Sequence, residues 1–348
     1  MIRLECDYLE GAHPAIMDAL VKTNMEQTCG YGLDPHCEHA RNLIQEACCN
    51  PDAAVHFLVG GTQTNKTVIG AALRPYQGVI AAESGHINVH ETGAIEACGH
   101  KVLTLPSDDG KITAGQVDRL CHAHFFAQEG PEHMVQPAMV YISNPTENGT
   151  VYSAKELGEL RRVCDKYRLY LFLDGARLSY GLACPNNDLS LEFLSRTTDV
   201  FYIGGTKCGA LFGEAAVISN PSLNKDFRYA IKQNGGMLAK GRLLGIQFET
   251  LFTDNLYFSL AAHAIRLSEK LRLAAQKMNI PFRYDSPTNQ QFLILPDSFL
   301  EELQKEFSFE IWEKTDGTHS AARFCTSWAT KEEYIDLLIK KLEKAPSV

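Results

Sequence analysis

At 348 residues, 45% hydrophobic and 22% charged, the chain has ordinary globular composition and exceeds the size at which a single core stops growing, so a large domain plus a smaller one is expected. A formal net charge of -9 and a pI near 5.8 argue against nucleic acid or an anionic membrane as partner, since both select a basic face. The acidic start Met1–Asp7 lacks a signal peptide's apolar run, no apolar stretch nears the roughly 20 residues of a membrane span, and eleven scattered cysteines without a CxxC pair suit reduced thiols in the cytoplasm and offer no metal-ligand spacing.

In chain order, short apolar runs at Ala54–Val59, Gly78–Ala82, Lys101–Leu105, Met139–Ser143, Tyr170–Leu173 and Val200–Ile203 read as buried strands. Amphipathic segments lie between them. The clearest is Ser153–Tyr167, where Ser153 and Glu156 form a capping box and Leu157, Leu160, Val163, Cys164 and Tyr167 recur at helical spacing. Strands alternating with helices imply a mainly parallel α/β sheet covered on both faces, with ligands bound in the loops after the strands. The pattern changes near residue 240. A long helical stretch, Leu243–Lys277, precedes short strands near Phe282–Tyr284 and Gln291–Leu295, a helix at Ser298–Glu306 and a strand at Ala322–Ser327. A last helix begins at Thr330, with Glu333 completing a second capping box. This divides the chain into a large domain over 1–242 and a small C-terminal α+β domain over 243–348, with no Gly, Pro or Ser-rich tether between them.

Four segments fall at expected strand ends. Gly60-Gly61-Thr62-Gln63-Thr64-Asn65 opens a helix with small residues, which suits either a phosphate cradle or a plain strand–helix turn. Asp174-Gly175-Ala176-Arg177 places a carboxylate at the end of a buried strand. Such a group needs a partner: a protonated pyridine nitrogen, Arg177, or a helix to cap. Lys207, in Gly204-Gly205-Thr206-Lys207-Cys208-Gly209, stands among small uncharged residues, where desolvation favours the neutral, nucleophilic amine over a surface lysine's ammonium. His86, in Glu83-Ser84-Gly85-His86-Ile87-Asn88, is either structural or placed to stack on an aromatic ring.

Taken together these segments resemble the fold-type I pyridoxal-phosphate enzymes and, within them, the L-threonine aldolase family, nearest its low-specificity, phenylserine-aldolase-like branch. The resemblance runs from Tyr31-Gly32-Leu33-Asp34 to Arg323-Phe324-Cys325-Thr326-Ser327. Its most specific parts are Gly61–Asn65, Gly85–Asn88, Asp174–Arg177 and Gly205–Lys207, in that order and spacing. It implies a seven-stranded, mainly parallel sheet sandwiched by helices, pyridoxal 5'-phosphate as cofactor, and retro-aldol cleavage of an L-β-hydroxy-α-amino acid to glycine and an aldehyde.

Carried over residue by residue, the resemblance makes Lys207 the lysine that carries the cofactor, Asp174 the partner of its ring nitrogen and His86 the residue stacked on its ring. Gly61, Thr62 and Thr206 become phosphate contacts, and Gln63 a further cofactor contact. Arg177 and Arg323 match arginines that grip the substrate carboxylate, a task suited to a planar fork, and Arg177 also borders the cofactor. His133 falls where the family carries a histidine that handles the β-hydroxyl proton. The sequence departs from the family at Leu4-Glu5-Cys6-Asp7-Tyr8, where Cys6 replaces a serine that touches the substrate carboxylate; a thiol bonds more weakly. His90 and Glu91, following His86, add polarity beside it. The resemblance further implies a homodimer or homotetramer with the active site at the subunit interface, where Lys232, Lys240 and Arg242 are candidates for a phosphate contact across it. Two other readings share the same residues: a β-eliminating or other amino-acid lyase, and a catalytically silent protein that keeps the cofactor.

Overall fold

The computed structural model describes residues 1–345. In chain order the strands are β1 (Ile2–Arg3), β2 (Ala54–Leu58), β3 (Gln77–Ala82), β4 (Val102–Leu105), β5 (Gln136–Ser143), β6 (Tyr170–Asp174), β7 (Val200–Gly204), β8 (Glu214–Ile218), β9 (Gln290–Pro296), β10 (Phe307–Ser308), β11 (Glu310–Lys314) and β12 (His319–Cys325). Seven of them form one sheet in the order β2-β8-β7-β6-β5-β3-β4. Strand β8 runs antiparallel to both neighbours, β2 and β7, and the other pairings are parallel. All six expected strands of this sheet are present. The seventh, β8, went unread because Glu-Ala-Ala-Val-Ile is short, Ala-rich and opens on a charge.

Alternation along these strands explains the two covered faces. Phe201 and Ile203 point into one apolar cluster, which also takes Leu157, Leu160 and Val163 of the helix Ala154–Tyr167. Val200 and Tyr202 point into the opposite cluster, with Val68 and Ile69 of the helix Gly61–Ala72. The Ser153–Glu156 capping box forms in full.

The C-terminal unit carries the three-stranded antiparallel sheet β11-β12-β9. A third cluster packs Leu293, Leu295 and Phe324 against Leu267, Leu271 and Leu338. Leu4 joins this cluster, and β1 pairs with β10, so the first residues of the chain pack with its last third. The expected helix Leu243–Lys277 is two helices, Arg242–Phe252 and Leu256–Lys277. Asp254 and Asn255 between them adopt left-handed φ of 51° and 57°, a conformation these residue types tolerate and a helix does not. Leu256–Lys277 gives Tyr257 and Ala261 to the first cluster and Leu267 and Leu271 to the third, so one helix belongs to both cores.

The second expected capping box does not form. The last helix is Glu332–Leu342, and the Thr330 hydroxyl instead accepts the Ser327 N–H at 2.8 Å. Phe282 makes only an isolated bridge to Leu293. Among the described residues no helix is long and apolar enough to cross a membrane.

Candidate active site

The carboxyl ends of β2, β3, β5, β6 and β7 meet around a cavity of about 330 Å³. Its walls include Gly60, Gly61, Thr62, His86, Glu147, Asp174, Arg177, Thr206, Lys207 and Glu214, with Tyr8 and Phe212 at its aromatic edge. Thus Gly61, Thr62, His86, Asp174, Arg177, Thr206 and Lys207, which lie far apart in the chain, face one space.

Asp174 ends β6 and is buried. Its Oδ1 accepts Tyr202 OH at 2.5 Å and the Ala176 N–H at 3.0 Å, while Oδ2 accepts Tyr141 OH at 2.6 Å and Asn65 Nδ2 at 3.0 Å. Burial raises this carboxyl, but the His86 charge and the two phenol donors outweigh it, so it is held below the ordinary aspartate range and stays ionised. Close backbone approach makes this geometry possible. A Cβ on Gly175 would lie 1.9 Å from the Tyr202 carbonyl, so only glycine lets the loop after β6 pass against strand β7.

His86 opens the short helix Glu83 leads into, His86–Val89. Its Nδ1 lies 2.7 Å from Glu91 Oε1, the same oxygen that accepts Asn65 Nδ2 at 2.7 Å. Glu147 Oε1 accepts the His86 N–H at 3.0 Å and Ser143 Oγ at 2.7 Å. Asn65 therefore ties the carboxylate behind His86 to Asp174. Burial lowers the His86 pKa, yet the bond to Glu91 and the charges of Asp174, Glu91 and Glu147 raise it overall. Replacing Glu91 with Gln removes the bond to a charge and leaves the burial. The His86 titration midpoint should then fall, which histidine NMR of wild type and E91Q reads directly; an unmoved midpoint would show that Glu91 does not govern it.

Lys207 follows β7 and is half-buried, with Nζ 5.9 Å from the Tyr8 ring centroid. Burial and then the Arg177 charge lower its pKa, and Asp7, Asp174 and Glu214 only partly offset them. Arg177 makes a fork to the buried Asp7, with Nε to Oδ2 at 2.7 Å and Nη2 to Oδ1 at 3.0 Å, leaving Nη1 without a partner among the described residues. The cradle is open as well. Gly60 precedes the helix Gly61–Ala72 without a side-chain cap, so the first N–H groups, at Gly61, Thr62 and Gln63, stay available. A Cβ on Gly61 would sit 3.1 Å from Tyr202 OH and crowd that space.

Four expected site residues are not on this wall. His133 lies exposed just before β5, at the opposite end of the strand from Ser143, and the strand alone spans roughly 23 Å by strand rise. Gln63 turns into the protein, accepting the Val59 N–H at 3.0 Å and donating to the Asn234 carbonyl at 3.0 Å. Cys6 sits outside the wall beside Asp7, and burial pushes its thiol up, keeping it S–H. Arg323 donates to Gln290 Oε1 at 3.1 Å and the Glu5 carbonyl at 3.0 Å, pairs with Glu310, and lies 5.1 Å over Trp312. Its buried Nε has no partner among the described residues. Arg242 is spent within its own chain on the Glu26 and Asn24 carbonyls, and Lys232 lies 4.9 Å over Tyr31.

The sequence gives no role to Asn65, although it closes the Gly61–Asn65 motif, and does not point to Tyr141, Tyr202, Glu147 or Glu214. The two tyrosines sit in apolar strands and read as core. The available signal was that a buried phenol must find an acceptor.

Residues 4–296 match the model of the beta-eliminating lyase family. The chain is 31% identical over 337 residues to the low specificity L-threonine aldolase of Pseudomonas sp. (strain NCIMB 10558), covering 94% of this chain and 92% of that one. Its fold matches a solved Leishmania major threonine aldolase with a TM-score of 0.96 and 45% identity, over 99% of each chain. Aspartate aminotransferase from Thermus thermophilus shares the fold alone, at a TM-score of 0.72 and 14% identity over 99% of this chain and 91% of that one. With a fold-type I architecture, a lyase family match over most of its length and this identity to a named aldolase, the chain belongs to the L-threonine aldolase family within the beta-eliminating lyases.

Proposed function

We propose that this protein binds pyridoxal 5'-phosphate and cleaves L-β-hydroxy-α-amino acids of the threonine, allo-threonine or phenylserine type to glycine and an aldehyde. The observation that carries the reading is the convergence of Lys207, Asp174 and His86 on one cavity that also contains the uncapped start of the helix Gly61–Ala72. These residues fit the cofactor. Lys207 offers an amine with a lowered pKa for its aldehyde, Asp174 an ionised carboxylate for its ring nitrogen, and Gly61 and Thr62 open N–H donors for its phosphate.

When bound, the cofactor supplies the electron sink that accepts the pair released at Cα. The protein's own residues do the rest. Arg177 Nη1 holds the substrate carboxylate, while Arg323 stands off the cavity wall with its Nε buried. His86 in its neutral form, backed by Glu91, takes the β-hydroxyl proton directly or through a water and becomes the imidazolium that Glu91 and Asp174 stabilise. The Cα–Cβ bond then breaks, the hydroxyl oxygen becomes the aldehyde carbonyl, and Cα takes up a proton to give glycine. His133 is far from this cavity within one chain, so the proton handling falls to His86 here. Tyr8 and Phe212 line the space open to the aldehyde side chain. We further place the protein as a cytoplasmic homodimer or homotetramer with the site near the subunit interface, a reading supported by its eleven free cysteines and by the family resemblance.

The test is incubation with L-threonine and L-phenylserine in the presence of added pyridoxal phosphate. Glycine and aldehyde should appear one to one. A keto acid and ammonia in their place would overturn the aldolase reading in favour of β-elimination.

A further inference from the structure

One carboxyl group of the cavity has no part in the reaction just described. Glu214 is the first residue of β8 and is buried. Because β8 runs antiparallel between β2 and β7, its amino end pairs in register with Leu58 on one side and Gly204 on the other. Those are the last strand residues before the two segments, Gly60–Thr62 and Thr206–Lys207, that converge on the expected phosphate position. A carboxyl group is therefore built between them, in a place where a cation would be the simpler choice for binding a dianion.

The hydrogen bonds around Thr206 show how the two are reconciled. Thr206 Oγ1 accepts the Gly213 N–H at 3.1 Å and lies 2.9 Å from Glu214 Oε1, while Glu214 Oε2 accepts the Gly205 N–H at 3.2 Å. A threonine hydroxyl has one proton and two lone pairs. If Glu214 is a carboxylate it can only accept, so the single Thr206 proton must point at it and none is left for a phosphate. If Glu214 is protonated it donates to the second lone pair of Thr206 Oγ1, and the Thr206 proton is free to turn outward.

We propose that Glu214 is a phosphate-site positioning residue that works as a neutral acid, donating to Thr206 Oγ1 so that the Thr206 hydroxyl donates to the cofactor phosphate. This rests on the cofactor reading above. The groups facing Glu214 are Lys207, which favours the carboxylate, Asp174, which disfavours it, and the phenols Tyr202 and Tyr257. Burial is the largest influence and, with Asp174, pushes the Glu214 carboxyl up to about 8 against the pull of Thr206 and Lys207. A dianion alongside pushes it further in the same direction. The sign follows: the acid is present below this range, and phosphate affinity is lost as pH rises through it.

Pyridoxamine phosphate and pyridoxamine provide the test, because neither has an aldehyde to react with Lys207. The ratio of their dissociation constants isolates the phosphate, which is a dianion throughout the range used. In the wild type the preference for the phosphorylated ligand should fall about 10-fold between pH 7 and pH 9, as one group near pH 8 loses its proton. In E214Q the amide donates to Thr206 at every pH, so the preference should stay within about 2-fold across the range. Should E214Q not fold, T206V is the second variant; at pH 7 it should show the low preference that the wild type reaches at pH 9. A wild-type preference that does not change with pH, or an equal fall in wild type and E214Q, would overturn the assignment of Glu214. Failure of both ligands to bind at any pH, with no coloured complex on adding pyridoxal phosphate, would overturn the cofactor reading and this proposal with it.

Discussion

Lys207→Ala should lower aldehyde release from L-threonine at least about 10³-fold, the scale of losing a covalent nucleophile. The reason is positional. The amine stands at the end of β7, in a cavity whose burial and neighbouring Arg177 charge lower its pKa and so populate the neutral form that attacks an aldehyde. Lys207→Arg is the sharper companion variant. It keeps the positive charge beside Asp7 and Asp174 but cannot deprotonate, so it should be as inactive as the alanine variant. Circular dichroism checks that both variants remain folded, and coupled aldehyde reduction measures the rate. A rate near wild type in either would remove Lys207 from the chemistry.

Asp7→Ala should destabilise the protein by about 3–5 kcal/mol, because it leaves the Arg177 guanidinium buried without its partner. Asp7 is fully buried, bonds twice to Arg177 and accepts Asn289 Nδ2 at 2.9 Å. Burial alone raises its carboxyl, but the charges of Arg177 and Lys207 and the donors from Arg177 and Asn289 hold it at about 2 against an ordinary 3.8. A depressed carboxyl stabilises the fold above its unfolded pKa. That stability, on the order of 2 kcal/mol at about 1.4 kcal/mol per unit, is lost as pH falls from about 4 to about 2. Urea unfolding at pH 7 should show the cost of the substitution, and the variant should lack this share of the acid sensitivity. A loss below about 1 kcal/mol would mean that Arg177 finds another acceptor when Asp7 is gone. The same variant frees the guanidinium fork toward the cavity, so its effect on substrate affinity reads how far Asp7 restrains Arg177.

The segments at strand ends were legible because parallel β/α architecture forces them to one edge of the sheet. Gly60–Thr62, His86, Asp174 and Lys207 each follow an apolar run, and the right-handed alternation of strand and helix leaves no other place for them. The same logic explains what was missed. Glu214 reaches the site from the amino end of an antiparallel strand, where no rule about carboxyl ends points. Tyr141 and Tyr202 read as core until their hydroxyls are seen on Asp174. His133 rests on the family resemblance alone, and strand direction puts it at the amino end of β5, away from the carboxyl ends that form the cavity.

Periodicity and local hydrogen bonding already specify the alternation of buried strands and amphipathic helices, the Ser153–Glu156 cap and the residue types at the strand ends. Which side chains share a proton or a charge follows from the packed fold: Arg177 with Asp7, His86 with Glu91, Thr206 with Glu214. The first of these pairs joins residues 170 positions apart, and such partners are chosen by sheet order and burial, since a buried charge or donor must take whatever acceptor the fold brings within reach.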